Sequence, residues 1–220
     1  MSRIGTRSAA AVGAPSLPPI IAVTDRRRCA PRPLIDAAAA AVAEGARGIW
    51  LREPDLPDAE RLSIARELAR VLAPFGGMLF IGCHGEPPAL SDLPRGLPLA
   101  IHLSSTAAFP TDGYFDREHG YFVGRSCHSL GDVLRAEREG CDYVAISPIF
   151  PSRSKPGYGP ALGLAGLRQV CASTRLPVIA LGGLKRRYEL ACRQAGAVSV
   201  AMLGAFMGEP DRDLGEGGER

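Results

Sequence analysis

Short apolar runs and longer two-faced segments alternate along this chain. Eight runs rich in branched residues stand out: IIAVT (20–24), GIWLR (48–52), MLFIG (78–82), LAIHL (99–103), YFVGRS (121–126), YVAIS (143–147), PVIALG (177–182) and SVAML (199–203). Their starts are separated by roughly 20 to 35 residues, the spacing of strand–helix units rather than of hairpins. Between them, LIDAAAAAVAEGA (34–46) reads as a helix closing at Gly45. In DAERLSIARELARVLAPFG (58–76), Leu62, Ala65, Leu68, Ala69 and Leu72 form one apolar stripe opposite arginines and glutamates, the signature of a helix packed on one face. SLGDVLRAEREG (129–140) opens on a Ser N-cap and ends at Gly140, both favoured terminators. GLAGLRQVCAST (163–174) and KRRYELACRQAG (185–196) complete the set. The segments after the third and fourth strands are broken by Pro87, Pro88, Pro94, Pro98 and Pro110, and Gly208 and Pro210 leave little helix after the eighth.

Eight strands alternating with helices predict a single parallel (β/α)8 barrel of near-minimal size. A doubly wound open sheet is the competing arrangement, but neither GxGxxG nor GxxxxGK is present to mark its switch-point site. The barrel is expected over 18–207, with disordered tails at 1–17 and 208–220.

Composition narrows the function classes. A net charge of +3 with scattered arginines argues against a nucleic-acid partner. The cluster Arg26, Arg27, Arg28 reads as a solvated loop or one near an anionic ligand. No stretch reaches the roughly 18 apolar residues of a membrane span, and residues 1–17 lack the apolar run of a signal peptide. The six cysteines include no CxxC pair and no zinc-type spacing, so a cytoplasmic protein with reduced thiols is expected. Cys83, beside His84, would be a reactive thiol in the mouth if its pKa were lowered there.

A barrel gathers the C-terminal ends of its strands around one mouth, where its chemistry sits. Those ends carry Thr24-Asp25, Arg52-Glu53, Gly82-Cys83-His84, His102 to Ser105, Ser126-Cys127-His128, Ser147, Gly182-Gly183 and Leu203-Gly204. Polar residues and glycines thus collect at the mouth while the strand bodies stay apolar, as a small-molecule site requires. Gly182 and Gly183 before a helix, with Gly204 after strand eight, let backbone N–H groups approach a phosphate. Lys155, in the loop PSRSKPGYGP (151–160), is placed to bring a positive charge over the mouth. Arg52 closes an apolar strand and needs either an anion or a partner such as Glu53. His128, beside Ser126, is the best acid–base candidate, since an imidazole both takes and gives a proton near neutral pH.

At these positions the chain resembles the thiamine phosphate synthase and TenI superfamily of phosphate-binding barrels. The resemblance rests on IAVTDR (21–26), GIWLRE (48–53), IHLSS (101–105), VGRSCHS (123–129), DYVAISPIFPSRSKPG (142–157), LPVIALGG (176–183) and AGAVSVAML (195–203). It implies one of two activities. The synthase joins hydroxymethylpyrimidine pyrophosphate to a thiazole phosphate and expels pyrophosphate with the help of magnesium. The TenI-type tautomerase moves a proton on a thiazole carboxylate phosphate and needs no metal.

The retained residues Arg52, Ser126, Lys155, Gly182 and Gly183 are implied phosphate ligands, with Gly204 beside them; His128 matches the tautomerase proton shuttle. The departures fall where the synthase holds its metal. Gly82-Cys83 stands in place of an Asn-Asp pair, and Thr106 or Ala107 in place of a carboxylate after strand four. Glycine, cysteine and alanine side chains offer magnesium no oxygen. Trp50 and Pro54 replace the glutamine and lysine of the synthase QLREK. Asp112 and Asp116 lie near in sequence but off the motif.

The expected function is therefore a metal-independent thiazole tautomerase binding a small thiazole phosphate, with no cofactor and no nucleic-acid or membrane partner. A diverged, magnesium-using synthase is the alternative, and a non-catalytic binder of thiamine precursors a third. The weak third and fourth helices leave barrel surface for a second subunit.

Overall fold

The computed structural model describes residues 16–85, 87–110, 121–151 and 160–208. Eight parallel strands close a barrel in sequence order: β1 (Ile20–Val23), β2 (Gly48–Leu51), β3 (Met78–Cys83), β4 (Leu99–Leu103), β5 (Tyr121–Cys127), β6 (Tyr143–Ile146), β7 (Val178–Leu181) and β8 (Ser199–Met202). Pairing of Ile21 with Ala201 seals β1 to β8. The (β/α)8 barrel read from the hydrophobic pattern is what forms, with strand ends shifted by no more than a residue.

Around it lie α1 (Arg26–Cys29), α2 (Leu34–Ala43), α3 (Asp58–Leu72), α4 (Leu130–Glu139), α5 (Gly163–Ala172), α6 (Glu189–Gln194) and α7 (Gly204–Met207). Ser129 caps α4 through its hydroxyl, which accepts from the Asp132 N–H at 3.1 Å, and Gly140 closes it at φ 86°. Only a 3-10 turn, Leu90–Asp92, is found among the described residues between β3 and β4, as the prolines there require. Two one-turn helices were not expected. α1 forms because Asp25 accepts the N–H groups of Arg27 and Arg28, and α7 fits the short space left before Gly208. No described helix is long and apolar enough to cross a membrane.

Strand alternation sorts side chains into two populations. One set, including Ile21, Val23, Trp50, Phe80, Ala100, Tyr143, Ala145, Ile179 and Ala201, fills the barrel interior, with Leu17 packed against it. The other set faces the helices. Cys83, Ile81 and Leu103 pack with α3 on one side, and Cys127, Ile146 and Met202 pack with α4 to α7 on the other. This parity decides which residues at the strand ends can meet a ligand.

Candidate active site at the barrel mouth

The β1 and β2 ends are tied together first. Thr24 Oγ1 accepts the Arg52 N–H at 2.9 Å. The next carboxylate, Glu53, is 3% exposed and accepts from both the Arg26 backbone N–H (3.1 Å) and guanidinium (3.0 Å). Arg26 also grips Asp55 through two bonds of 2.7 and 2.6 Å. That grip holds Asp55 well below the ordinary carboxylate range, by hydrogen bonding to Arg26. The basic cluster is therefore a capped helical turn rather than a loop, with Arg27 and Arg28 exposed. Its first arginine neutralises Glu53, and this leaves the half-buried Arg52 without the neighbour that would have occupied it. By the alternation of β2, Arg52 projects on the same side as the interior residue Trp50.

At the β3 end the same alternation turns Cys83 outward. It is 1% exposed, packs under α3, and its thiol donates to the Gly85 carbonyl at 3.2 Å. Burial raises its pKa, so the expectation of a reactive thiol in the mouth is corrected. Gly82 faces inward instead, and a Cβ there would lie 3.4 Å from Trp50 Nε1. The indole fills this side of the mouth, and its buried N–H has no hydrogen-bond partner among the described residues.

The β4 and β5 ends hold a group that pattern reading passed over. His102 is 2% exposed and stacks on Trp50 with ring centroids 3.8 Å apart. Its Nδ1 lies 3.1 Å from the Tyr143 hydroxyl and its Nε2 lies 2.9 Å from Ser126 Oγ. Burial, with smaller contributions from Arg125 and His84, pushes the imidazole well below its ordinary value, so it is neutral. Tyr143 has room to lie across the barrel because β5 carries Gly124, where a Cβ would sit 2.2 Å from the phenol ring. A glycine inside an apolar strand is the visible signal of such an approach. The His102 signal was its inward register beside Ala100.

His128 follows on β5. Its Nδ1 lies 2.9 Å from the Ser147 carbonyl. A carbonyl only accepts, so Nδ1 carries a proton in this contact. The backbone is anchored as well, the His128 N–H donating to Asp132 at 3.0 Å. Between Ser126 and His128, Cys127 points away into the helix-facing core. Next to it in that outer layer, Arg125 is 1% exposed, lies 2.9 Å from Glu139 Oε2 and donates to the Ala107 carbonyl at 2.7 Å, fastening the β4 end to α4.

The remaining rim is backbone. Gly182 and Gly183 have φ of 92° and 67°, the left-handed region that favours glycine. A Cβ on Gly183 would sit 2.4 Å from the Phe150 carbonyl. The two loops interlock, with the Ile149 N–H donating to Leu181 and the Phe150 N–H to Gly182, both at 3.0 Å. Gly204 opens α7 on the adjacent strand end. Arg52, Ser126, His128, Gly182, Gly183 and Gly204 thus share one rim, whereas Lys155, Asp112, Asp116 and His119 lie outside the described residues.

The described donors do not fit a magnesium ion. Gly82 has no side chain, Cys83 and Ala107 are buried in the outer core, Asp25 is a helix cap, and Glu53 is bound to Arg26. Among the described residues no three His, Cys, Asp or Glu side chains cluster as metal ligands do.

Comparison with known proteins agrees with this fold. A family model described as thiamine monophosphate synthase matches residues 20–206. Thiamine-phosphate synthase of Methanoculleus marisnigri is 33% identical over 199 residues, covering 86% of this chain and 87% of the relative. That of Roseiflexus castenholzii is 29% identical over 194 residues, covering 87% and 82%. The solved structure of thiamine phosphate pyrophosphorylase from Pyrococcus furiosus superposes with a TM-score of 0.69 at 25% identity, over 86% of this chain and 87% of that one. A 3-hexulose-6-phosphate synthase, at 20% identity and a TM-score of 0.60, shares the fold.

Proposed function

The chain belongs to the thiamine monophosphate synthase family, whose model spans residues 20–206, and from that premise we propose that its mouth binds a thiazole phosphate and transfers a proton on it without a metal. The observation that carries this reading is the pairing of an oriented imidazole with described β3 and β4 ends that carry no carboxylate. His128 is oriented by its Nδ1 contact with the Ser147 carbonyl at 2.9 Å, and Nε2 is the ring nitrogen assigned to proton transfer. The β3 and β4 ends offer Gly82, Cys83 and Ala107, where magnesium needs oxygen.

In this reading the unpaired guanidinium of Arg52 and the Ser126 hydroxyl meet anionic oxygens. Backbone N–H groups at Gly182, Gly183 and Gly204 cradle the phosphate, and Lys155 contributes charge from its loop. His128 Nε2 takes a proton from the thiazole carboxylate ring system and returns one at another atom. The step leaves the composition unchanged and needs no co-reactant. Such a positioned acid–base group contributes about 10²–10⁴-fold.

A second reading has its own support. The relatives are named thiamine-phosphate synthase, which speaks for the transferase that joins a pyrimidine pyrophosphate to a thiazole phosphate; nothing in the comparisons singles out the tautomerase. No step through magnesium is derived for it, because the described donors do not fit that ion.

One pair of assays separates the two. Purified protein with excess chelator is expected to accelerate thiazole tautomerisation, and His128→Asn to lose most of that rate. Formation of thiamine phosphate from both precursors, dependent on added magnesium, would reverse the ranking. Affinity for thiazole phosphate with neither turnover would identify a binder.

A further inference from the structure

We propose that Tyr143, His102 and Ser126 form a one-way hydrogen-bond relay that makes Ser126 a committed donor toward an anionic oxygen of the ligand. Tyr143 and His102 are positioning residues in this scheme, and only Ser126 touches the ligand. The proposal deepens the thiazole phosphate reading and rests on it for the ligand.

The direction follows from counting protons. A neutral imidazole has one N–H and one acceptor nitrogen. In the first arrangement the Tyr143 O–H donates to Nδ1 across 3.1 Å, and the Nε2–H donates to Ser126 Oγ across 2.9 Å. Both donors of the Tyr143–His102 pair are then used, and the Ser126 O–H is left to point into the mouth. In the second arrangement Ser126 donates to Nε2 and the Nδ1–H donates to the Tyr143 oxygen. The Tyr143 O–H then needs another acceptor, yet its only hydrogen bond among the described residues is to His102. Tyr143 is 0% exposed, so bulk solvent does not reach the hydroxyl. An unsatisfied buried hydroxyl is expensive, and the first arrangement wins. A doubly protonated ring is disfavoured by the same burial, with the Trp50 face 3.8 Å away.

The consequence is selective. A hydroxyl whose lone pair is held by an imidazole N–H cannot turn round to accept from a ligand without losing that bond. Ser126 therefore favours acceptors, such as phosphate or carboxylate oxygen, over donors. The β5 register that sets Gly124 under the Tyr143 ring and Ser126 one step above it builds both ends of the relay.

Ring nitrogen shifts from two-bond ¹H–¹⁵N correlation of the whole protein read the tautomer without any ligand. The expected result is a non-titrating His102 with its proton on Nε2; a proton on Nδ1 overturns the relay. Calorimetric titration with thiazole phosphate supplies the second reading. Ser126→Ala is expected to weaken affinity about tenfold or more, as losing a charge-assisted bond does. Tyr143→Phe keeps the ring packing and is expected to weaken affinity severalfold, while the double variant binds no worse than Ser126→Ala alone. Full additivity would show that Tyr143 acts only on packing and overturns the relay. If the wild type fails to bind thiazole phosphate yet His102 is protonated on Nε2, the ligand assignment falls and the relay stands.

Discussion

His102 Nε2 and Ser126 Oγ lie 2.9 Å apart at the mouth of the barrel, one on β4 and the other on β5. That contact couples a buried, neutral imidazole to a hydroxyl on the barrel rim. It also makes stability and binding respond to the same ring, so His102 yields the first prediction.

The pKa of His102 is pushed well below its unfolded value of 6.5, chiefly by burial. Below about pH 6.5 the unfolded chain takes up a proton that the folded chain refuses, so unfolding becomes easier as pH falls. The slope approaches about 1.4 kcal/mol per pH unit from this one group, and above that range the group contributes nothing further. Urea midpoints between pH 7 and 5 should fall more steeply for the wild type than for His102→Gln. Parallel curves would mean that His102 is protonated in the folded state.

Arg52 has no side-chain partner among the described residues, because Glu53 is taken by Arg26. Arg52→Met should therefore leave stability within about 0.5 kcal/mol, as surface changes without partners do. Thiazole phosphate affinity should drop about tenfold or more, with Arg52→Lys intermediate, since a point charge replaces a fork. Loss of stability without loss of affinity would place Arg52 in the scaffold rather than the site.

Gly124→Ala is the sharpest packing test. Its new methyl would start 2.2 Å from the Tyr143 ring, so the phenol must move or the strands must part. Overpacking of this kind costs about 1–3 kcal/mol. Because the moved ring carries the hydroxyl that faces His102, affinity should fall along with the thermal midpoint. A variant as stable as the wild type would show that the ring does not lie across β5.

The thiols should be inert. Burial pushes Cys127 and Cys141 up to about 12, and raises Cys83 as well. Alkylation at pH 8 followed by peptide mapping should leave all three unmodified until denaturant is added. Rapid native labelling of Cys83 would mean that it faces the mouth.

Much of this protein is legible in one dimension. Eight short, continuously apolar runs, separated by amphipathic segments, specify a parallel barrel, and each strand predicted from the apolar pattern forms. The pattern also places Arg52, Ser126, His128, Gly182, Gly183 and Gly204 at C-terminal strand ends, and the closed barrel sets them on one rim. Local signals suffice because strand alternation, helix capping at Ser129 and glycine turns depend on near neighbours.

What the sequence left open were questions of pairing across the barrel. Arg52 stands next to Glu53 in the chain, yet Arg26 takes Glu53 from 27 residues away. Cys83 sits beside His84, yet strand parity turns its thiol into the outer core. Tyr143 and His102 are 41 residues apart and meet only because closure of the sheet brings β4, β5 and β6 around one axis. Hydrophobic periodicity sets which face a side chain takes, and so determined the fold. Only the closed barrel decides which polar groups arrive at the same point, because their partners come from strands that chain distance does not relate.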